Sequence, residues 1–366
     1  MAKVTAAVVE SEGAGFALQE LDLGDPRSDE VVVKIEAAGI CHTDLTVRDG
    51  GLPTPLPAVL GHEGAGLVER VGDGVKGLAE GDRVSLSFDY CGSCPNCQAG
   101  KPFYCHEFGP RNFGASRPDE TTALSRNGES LHSHFFGQSA FATRAVVPRN
   151  SVTKVPGDIP FSVLAPFGCG IQTGAGAVLN VMRPQPGDAL VVSGLGGVGM
   201  SAVMAAKVTG CQTIIGVDPN PDRLELSQEL GATHGIDPGK EDVVEEVMKV
   251  TGRGAQFSLE MSGNIGALQQ AVYCLAPAGV CGVVGAPPGG TEVSLDVNDI
   301  LSVGRTVRGI VEGESIPRTF IPQLVSLWEK GLFPVDRLIE TFDFDQINEA
   351  AEKAQKGEVV KPVLTL

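Results

Sequence analysis

Leu190-Val191-Val192-Ser193 runs straight into Gly194-Leu195-Gly196-Gly197-Val198-Gly199. An apolar strand that stops at a G-x-G-x-x-G turn and continues as a helix fits very few folds. Gly194 allows the tight turn, and Gly196 lets backbone approach a pyrophosphate. Gly199 permits close helix–strand packing, and Gly197 leads into a helix from about Val198 whose N-terminus faces the phosphates. Functionless glycine-rich turns also match this motif, so its surroundings must decide.

Those surroundings alternate. Strand patterns at Ala189–Ser193, Thr213–Val217, Gln256–Glu260, Gly279–Val284 and Arg305–Val311 are interleaved with helical patterns near Val198–Thr209, Pro221–Leu230, Glu241–Val250 and Ile265–Leu275. Such alternation predicts a parallel sheet covered on both faces. Asp218 ends the second strand, where an acid binds both ribose hydroxyls and repels a 2′-phosphate, which favours NAD over NADP. The plainer alternative is that Asp218 caps the helix starting at Pro221.

The first third of the chain reads differently, as short strands broken by proline and glycine, with candidates at Val31–Ile35 and Gly66–Val71. From Pro110 to Gly137 the composition is polar and irregular, which predicts a long surface loop. After Glu312 a helix near Ile316–Lys330 and short strands return to the first domain. With 366 residues the chain suits two domains. A net charge of −17 argues against nucleic acid or an anionic membrane as partner. Ala189–Ala206 is uncharged, but glycines in its middle favour strand, turn and helix over a membrane span. The first residues, with Glu10 and Glu12, do not read as a signal peptide.

Nine cysteines without a secretory signal suggest a reducing cytoplasm and metal binding rather than disulfides. Cys91, Cys94, Cys97 and Cys105 have the spacing C-x2-C-x2-C-x7-C. Four thiolates so close in sequence can surround one tetrahedral zinc, leaving no open position, so the predicted role is structural. Bacterial ferredoxin spacing ends differently. Cys41 in Gly39-Ile40-Cys41-His42-Thr43-Asp44, His62 in Gly61-His62-Glu63-Gly64 and Cys169 in Gly168-Cys169-Gly170 are isolated ligand types. Each alone is more often a buried thiol or a satisfied core histidine.

Taken in order along the chain, these segments resemble the zinc-dependent medium-chain alcohol dehydrogenases. The resemblance implies an α/β protein with a GroES-like, mainly-β catalytic domain (1–170 and 312–366) and a Rossmann-type doubly wound NAD-binding domain (171–311). It implies two zinc ions per chain, the catalytic one held by Cys41, His62 and Cys169. It makes Glu63 a carboxylate near that metal and Asp44 the group that orients His62. In the family, zinc lowers the pKa of the alcohol, Thr43 is its first proton acceptor, and hydride passes to the nicotinamide. Thr173 and Val198 match positions flanking the nicotinamide. Arg223 matches a contact to the adenosine ribose, and His42 and Lys361 contacts to the pyrophosphate. His42 stands where many relatives carry arginine. Thr46 occupies the place of a proton-releasing histidine, so either water or His42 ends the proton path.

Running text such as Ser87-Phe88-Asp89-Tyr90-Cys91 resembles bacterial aryl-alcohol dehydrogenases. Phe88, Phe135 and Phe136 then offer an apolar slot for a flat alcohol, unless they are ordinary core residues. An S-(hydroxymethyl)glutathione dehydrogenase or a terpene alcohol (geraniol-type) dehydrogenase is the alternative. A non-catalytic nucleotide-binding relative would lack the ligands present here. The family resemblance also implies a homodimer.

Overall fold

The computed structural model describes residues 2–366 and resolves into two compact units. One comprises the segment ending at Cys169 together with Ile316–Glu329 and Val335–Leu366, and the other comprises Gly170–Ser315 with Lys330–Pro334.

The second unit is a six-stranded, wholly parallel sheet. Its spatial order is His234–Ile236, Thr213–Val217, Ala189–Ser193, Ala255–Glu260, Leu275–Val283 and Thr306–Gly309. In chain order this is 3-2-1-4-5-6, the doubly wound arrangement. Ala189–Ser193 is buried at every position, as a central strand covered on both faces requires. Side-chain amides and carboxylates start the helices. Asn220 accepts from the N–H groups of Asp222 and Arg223, Asp242 from Glu245 and Asn264 from Ala267. The cap at Asp242 is why that helix runs Val243–Thr251 rather than from Glu241. Asn220 also holds the cap considered above for Asp218.

The first unit is mainly β, with a five-stranded and a seven-stranded sheet. Glu30–Gly39 is central to the larger sheet, pairing antiparallel with Glu63–Val71, Arg144–Pro148 and the late strand Lys361–Thr365. The helix Pro317–Glu329 and the strand Ile339–Asp343 complete the return of the chain. One apolar core, from Val4 to Leu364, joins both sheets.

Residues 110–137 are not the surface loop expected from their composition. They contain a hairpin, Leu124–Arg126 with Glu129–Leu131, that extends the five-stranded sheet beside Ala17–Leu23. Arg117 is buried there because its guanidinium meets both oxygens of Glu30, at 2.6 and 2.8 Å. Composition misled because several of the segment's polar groups, among them Asn112, Arg117, Ser133 and His134, are buried and paired inside. Among the described residues no single helix is long and apolar enough to cross a membrane.

Candidate active site and metal centres

Cys41 caps the short helix His42–Arg48 with extended backbone. Asp44, in the first turn, is fully buried and accepts three bonds, from Cys41 N (3.0 Å), Gly61 N (3.1 Å) and His62 Nδ1 (2.8 Å). With Asp44 accepting at Nδ1, Nε2 is the ring nitrogen of His62 left to face the cluster. Phe136 stacks on the imidazole at 4.5 Å between centroids, and Phe135 meets it edge-on at 5.6 Å. The ring is thereby fixed in both orientation and tautomer.

His62 Nε2 is buried without a hydrogen-bond partner. Leaving such an atom unsatisfied costs about 1–3 kcal/mol, so it marks a missing ligand. A ring nitrogen of His62 and the sulfurs of Cys41 and Cys169 all lie within 4.8 Å of one another. Two thiolates and one imidazole make the three-ligand donor set that a catalytic zinc takes. Hydrogen bonding with Cys169, opposed by burial, holds the Cys41 thiol well below its usual range. Burial pushes the His62 imidazolium down, but Asp44 and Cys41 outweigh it and raise the group well above its usual value. A cation entering the cluster therefore displaces protons, as metal sites do. Thr43 Oγ1 is 3.9 Å from Cys41 Sγ, and His42 is exposed.

Beside the cluster lies a pair that local sequence patterns did not reveal. Lys361 Nζ is 2.9 Å from both oxygens of Glu63 and 3.4 Å from Ile40 O, with both charged side chains almost sealed from water. Lys361 was expected at a pyrophosphate. Here its ammonium is given to Glu63, because an unpaired Glu63 charge would be untenable at that depth. A Cβ on Gly39 would fall 2.2 Å from Glu63 Oε2, so this glycine makes room for the pair.

The aromatic residues also differ from expectation. Phe88 is 1% exposed and packs against Tyr90 and Phe108. Phe135 and Phe136, at 0% and 4%, brace His62. These rings act as core and ligand support, not as an open slot.

The sulfurs of Cys91, Cys94, Cys97 and Cys105 form a second group within 4.8 Å of one another. Backbone N–H groups converge on it, from Ser93 and Cys94 to Cys91 Sγ (3.4 and 3.3 Å) and from Cys91 and Glu107 to Cys105 Sγ (3.3 and 3.4 Å). Burial pushes the Cys91 thiol up, but the bonds from Ser93 and Cys94 prevail and hold it at about 6. A donor set of four sulfurs closes a tetrahedron.

In the parallel-sheet unit, Gly194 has φ +91°, and a Cβ on Gly199 would fall 1.9 Å from Gly194 O. Neither position tolerates a side chain. The helix Gly197–Thr209 has no side-chain cap at Gly196, where an added Cβ would meet nothing within 4 Å. An uncapped helix start under open space suits a dinucleotide pyrophosphate. Asp218 Oδ2 accepts from Leu195 N at 2.8 Å, its Oδ1 accepts from Asn220 N at 2.9 Å, and Arg223 Nη1 lies 3.9 Å away. A Cβ on Gly174 would fall 1.9 Å from Val198 O, which puts Thr173 next to the start of that helix.

Comparison with known proteins agrees with this assembly. Residues 27–157 match the alcohol dehydrogenase GroES-like domain, and residues 197–330 match the zinc-binding dehydrogenase domain. The chain belongs to the zinc-dependent medium-chain alcohol dehydrogenase family. It is 45% identical to a geraniol dehydrogenase of Castellaniella defragrans over 98% of this chain and 96% of that one. Benzyl alcohol dehydrogenase from Acinetobacter calcoaceticus superposes with a TM-score of 0.97 at 46% identity, covering 100% of both chains. An alcohol dehydrogenase zinc-binding domain protein from Burkholderia ambifaria gives a TM-score of 0.98 at 50% identity, covering 100% of this chain and 99% of that one.

Proposed function

We propose that this enzyme oxidises a flat, apolar primary alcohol, of the aryl or allylic class, to its aldehyde, with NAD as hydride acceptor and two zinc ions per chain. The observation that carries the reading is the orphaned Nε2 of His62 between the sulfurs of Cys41 and Cys169. Zinc at these three ligands would supply a Lewis acid that lowers the pKa of the alcohol hydroxyl. The chain's own residues do the rest. Asp44 holds the metal-binding tautomer of His62, and the Lys361 ammonium offsets part of the burial that pushes the Glu63 carboxyl up. The Thr43 hydroxyl receives the alcohol's proton, which leaves through water or His42. Gly194, Gly196, Gly197 and Gly199 seat the pyrophosphate, and Thr173 and Val198 flank the nicotinamide. Asp218 takes the adenosine ribose, next to Arg223, and repels a 2′-phosphate. Cys91, Cys94, Cys97 and Cys105 take the structural zinc.

Relatives named for benzyl alcohol and geraniol both support a flat apolar substrate. The glutathione alternative needs cations to hold glutathione carboxylates. After Cys105 the two arginines in reach are already engaged, Arg111 with Asp89 and Glu107 and Arg117 with Glu30. A homodimer is supported by the sheet edge Thr306–Gly309, exposed at all its positions, and by the preceding helix, where Val297 and Leu301 are 76% and 78% exposed. Free thiols throughout fit a cytoplasmic enzyme.

Steady-state kinetics with benzyl, cinnamyl and geranyl alcohols against ethanol tests the reading, alongside metal analysis of dialysed protein. The flat alcohols should exceed ethanol in kcat/KM by about tenfold or more, since a buried ring gains a few kcal/mol of transfer energy. A win for ethanol or S-(hydroxymethyl)glutathione defeats the substrate class, and zinc near one per chain removes a metal site.

A further inference from the structure

Asp44, Phe135 and Phe136 fix the ring of His62, but a ring is only as well placed as the backbone that carries it. On one side that backbone enters a ladder, with Glu63 paired to Gly39. On the other side, the ladder between Glu63–Val71 and Arg83–Leu86 stops at Ala65 and Ser85. Beyond that point Gly64 N and His62 O are buried and must find partners elsewhere.

A single side-chain amide supplies both. Gln138 is buried; its Oε1 accepts from Gly64 N at 3.0 Å, and its Nε2 donates to His62 O at 2.8 Å. These partners dictate which end of the amide is oxygen, since one is a donor and the other an acceptor. Nε2 also reaches Ser87 O at 3.4 Å. Ser87 Oγ in turn donates to Gly168 O at 2.7 Å, next to Cys169. One amide therefore stands between the backbones that carry two of the three proposed ligands.

Delivering the amide there takes a strained backbone. His134, Phe136, Gly137 and Ser139 have φ of 69°, 51°, 67° and 53°. Left-handed backbone at residues other than glycine persists only where packing enforces it. Ser139 Oγ accepts from Phe135 N at 3.0 Å and donates to Val59 O at 2.5 Å. Ala140 N and Phe141 N donate to Gly61 O at 2.8 Å and Leu60 O at 3.0 Å. A Cβ on Gly137 would fall 2.6 Å from Ser151 Oγ. The turn is thus strapped to the residues just before His62, and its cost is spent where Gln138 meets the ligand's own backbone.

We infer that Gln138 is a positioning residue for the catalytic metal, its amide setting the spacing between His62 and the segment that carries Cys169. The inference rests on the metal reading proposed above. An apolar side chain of the same length would fill the space equally well. Only an amide offers the donor and the acceptor that fix where both backbones lie, so that the ligands meet without rearrangement.

Zinc-loaded protein equilibrated with graded chelator tests this, the zinc kept per chain being the readout. Cys169→Ser, which should keep only the four-cysteine zinc, identifies which metal leaves. Gln138→Met keeps the length but removes the donor and the acceptor. It should lower the affinity of the three-ligand site by about tenfold or more while the four-cysteine zinc stays. Co2+ exchanged into that site should show shifted absorption bands in the variant, because they follow ligand geometry. Equal loss of both zincs, the mark of a merely structural role, overturns the inference, as does unchanged retention. Should the methionine variant not fold, Ser87→Ala cuts the link to Gly168 and should weaken the same zinc by about threefold or more. No change in that variant is equally fatal. An unaltered protein that holds no more zinc than Cys169→Ser refutes the metal reading itself, whereas two zincs held with indifference to Gln138 refute only this inference.

Discussion

Asp44 Oδ1 stands 2.8 Å from His62 Nδ1, with both side chains sealed from solvent. The carboxylate thereby decides which nitrogen of the ring faces the two cysteine sulfurs. Asp44→Asn replaces one acceptor oxygen with a donor, which must then face an N–H. Losing such an orienting group typically lowers metal affinity by about 10–100-fold. Competition with a chelator should show this as faster loss of one metal per chain, with the four-cysteine metal retained.

Asp218 is proposed at the adenosine ribose and also anchors the glycine turn, and its substitution should separate the two. Beyond any effect on a ribose, its Oδ2 holds Leu195 N in the glycine turn. Asp218→Gly should narrow the NAD-over-NADP preference and also raise KM for both cofactors, because the turn loses its anchor. Asp218→Asn keeps an acceptor for Leu195. It should narrow the preference with a smaller rise in KM for both. Equal KM penalties in the two variants would falsify the anchoring role.

Lys361 and Glu63 should be worth far more together than apart. Removing one partner of a buried ion pair costs about 3–5 kcal/mol, because the other charge is stranded. Lys361→Met should lower the urea midpoint sharply. The double change Lys361→Met with Glu63→Gln should recover much of the loss, and simple additivity of the two single changes would contradict the pairing.

Acid should unfasten the hairpin segment through Glu30. Burial alone would push this carboxyl up, but His134, whose Nε2 lies 3.7 Å from Oε1, and the hydrogen-bonded Arg117 guanidinium outweigh burial and hold it at about 2, below its ordinary 4.5. The folded value is depressed, so the unfolded chain takes up the proton first as pH falls. The stabilisation is complete above about 4.5 and fades towards about 2. Glu30→Gln should therefore be less stable than the unaltered protein at pH 7. The two denaturation curves should converge as the pH is lowered through that window.

Legibility followed the range of the forces at work. The strands Ala189–Ser193 and Thr213–Val217 and the helix Pro221–Leu230 have the bounds that sequence predicts, since apolar runs, Asn220 and Gly231 act locally. The strand His234–Ile236 and the helix Val297–Val303 went unread. The first is three residues at a sheet edge with no alternation of its own, and the second buries no residue at all. Within the site, the ligand types were visible one by one, but their meeting depends on tertiary structure. Phe135 and Phe136 illustrate the limit. An aromatic pair reads the same whether it lines a cavity or braces His62, and only packing distinguishes them.

The strand Lys361–Thr365 pairs with Glu30–Gly39, and its lysine meets a glutamate 298 positions earlier. On the ribosome this order has a consequence. Cys41, His62 and Cys169 are all synthesised long before the cation that neutralises Glu63. The four-cysteine segment, compact in sequence, can capture its metal from a short nascent stretch. The other cluster gains its final electrostatic surroundings only once Lys361–Thr365 has paired with Glu30–Gly39, so one sulfur cluster is complete within a short stretch and the other waits on the end of the chain.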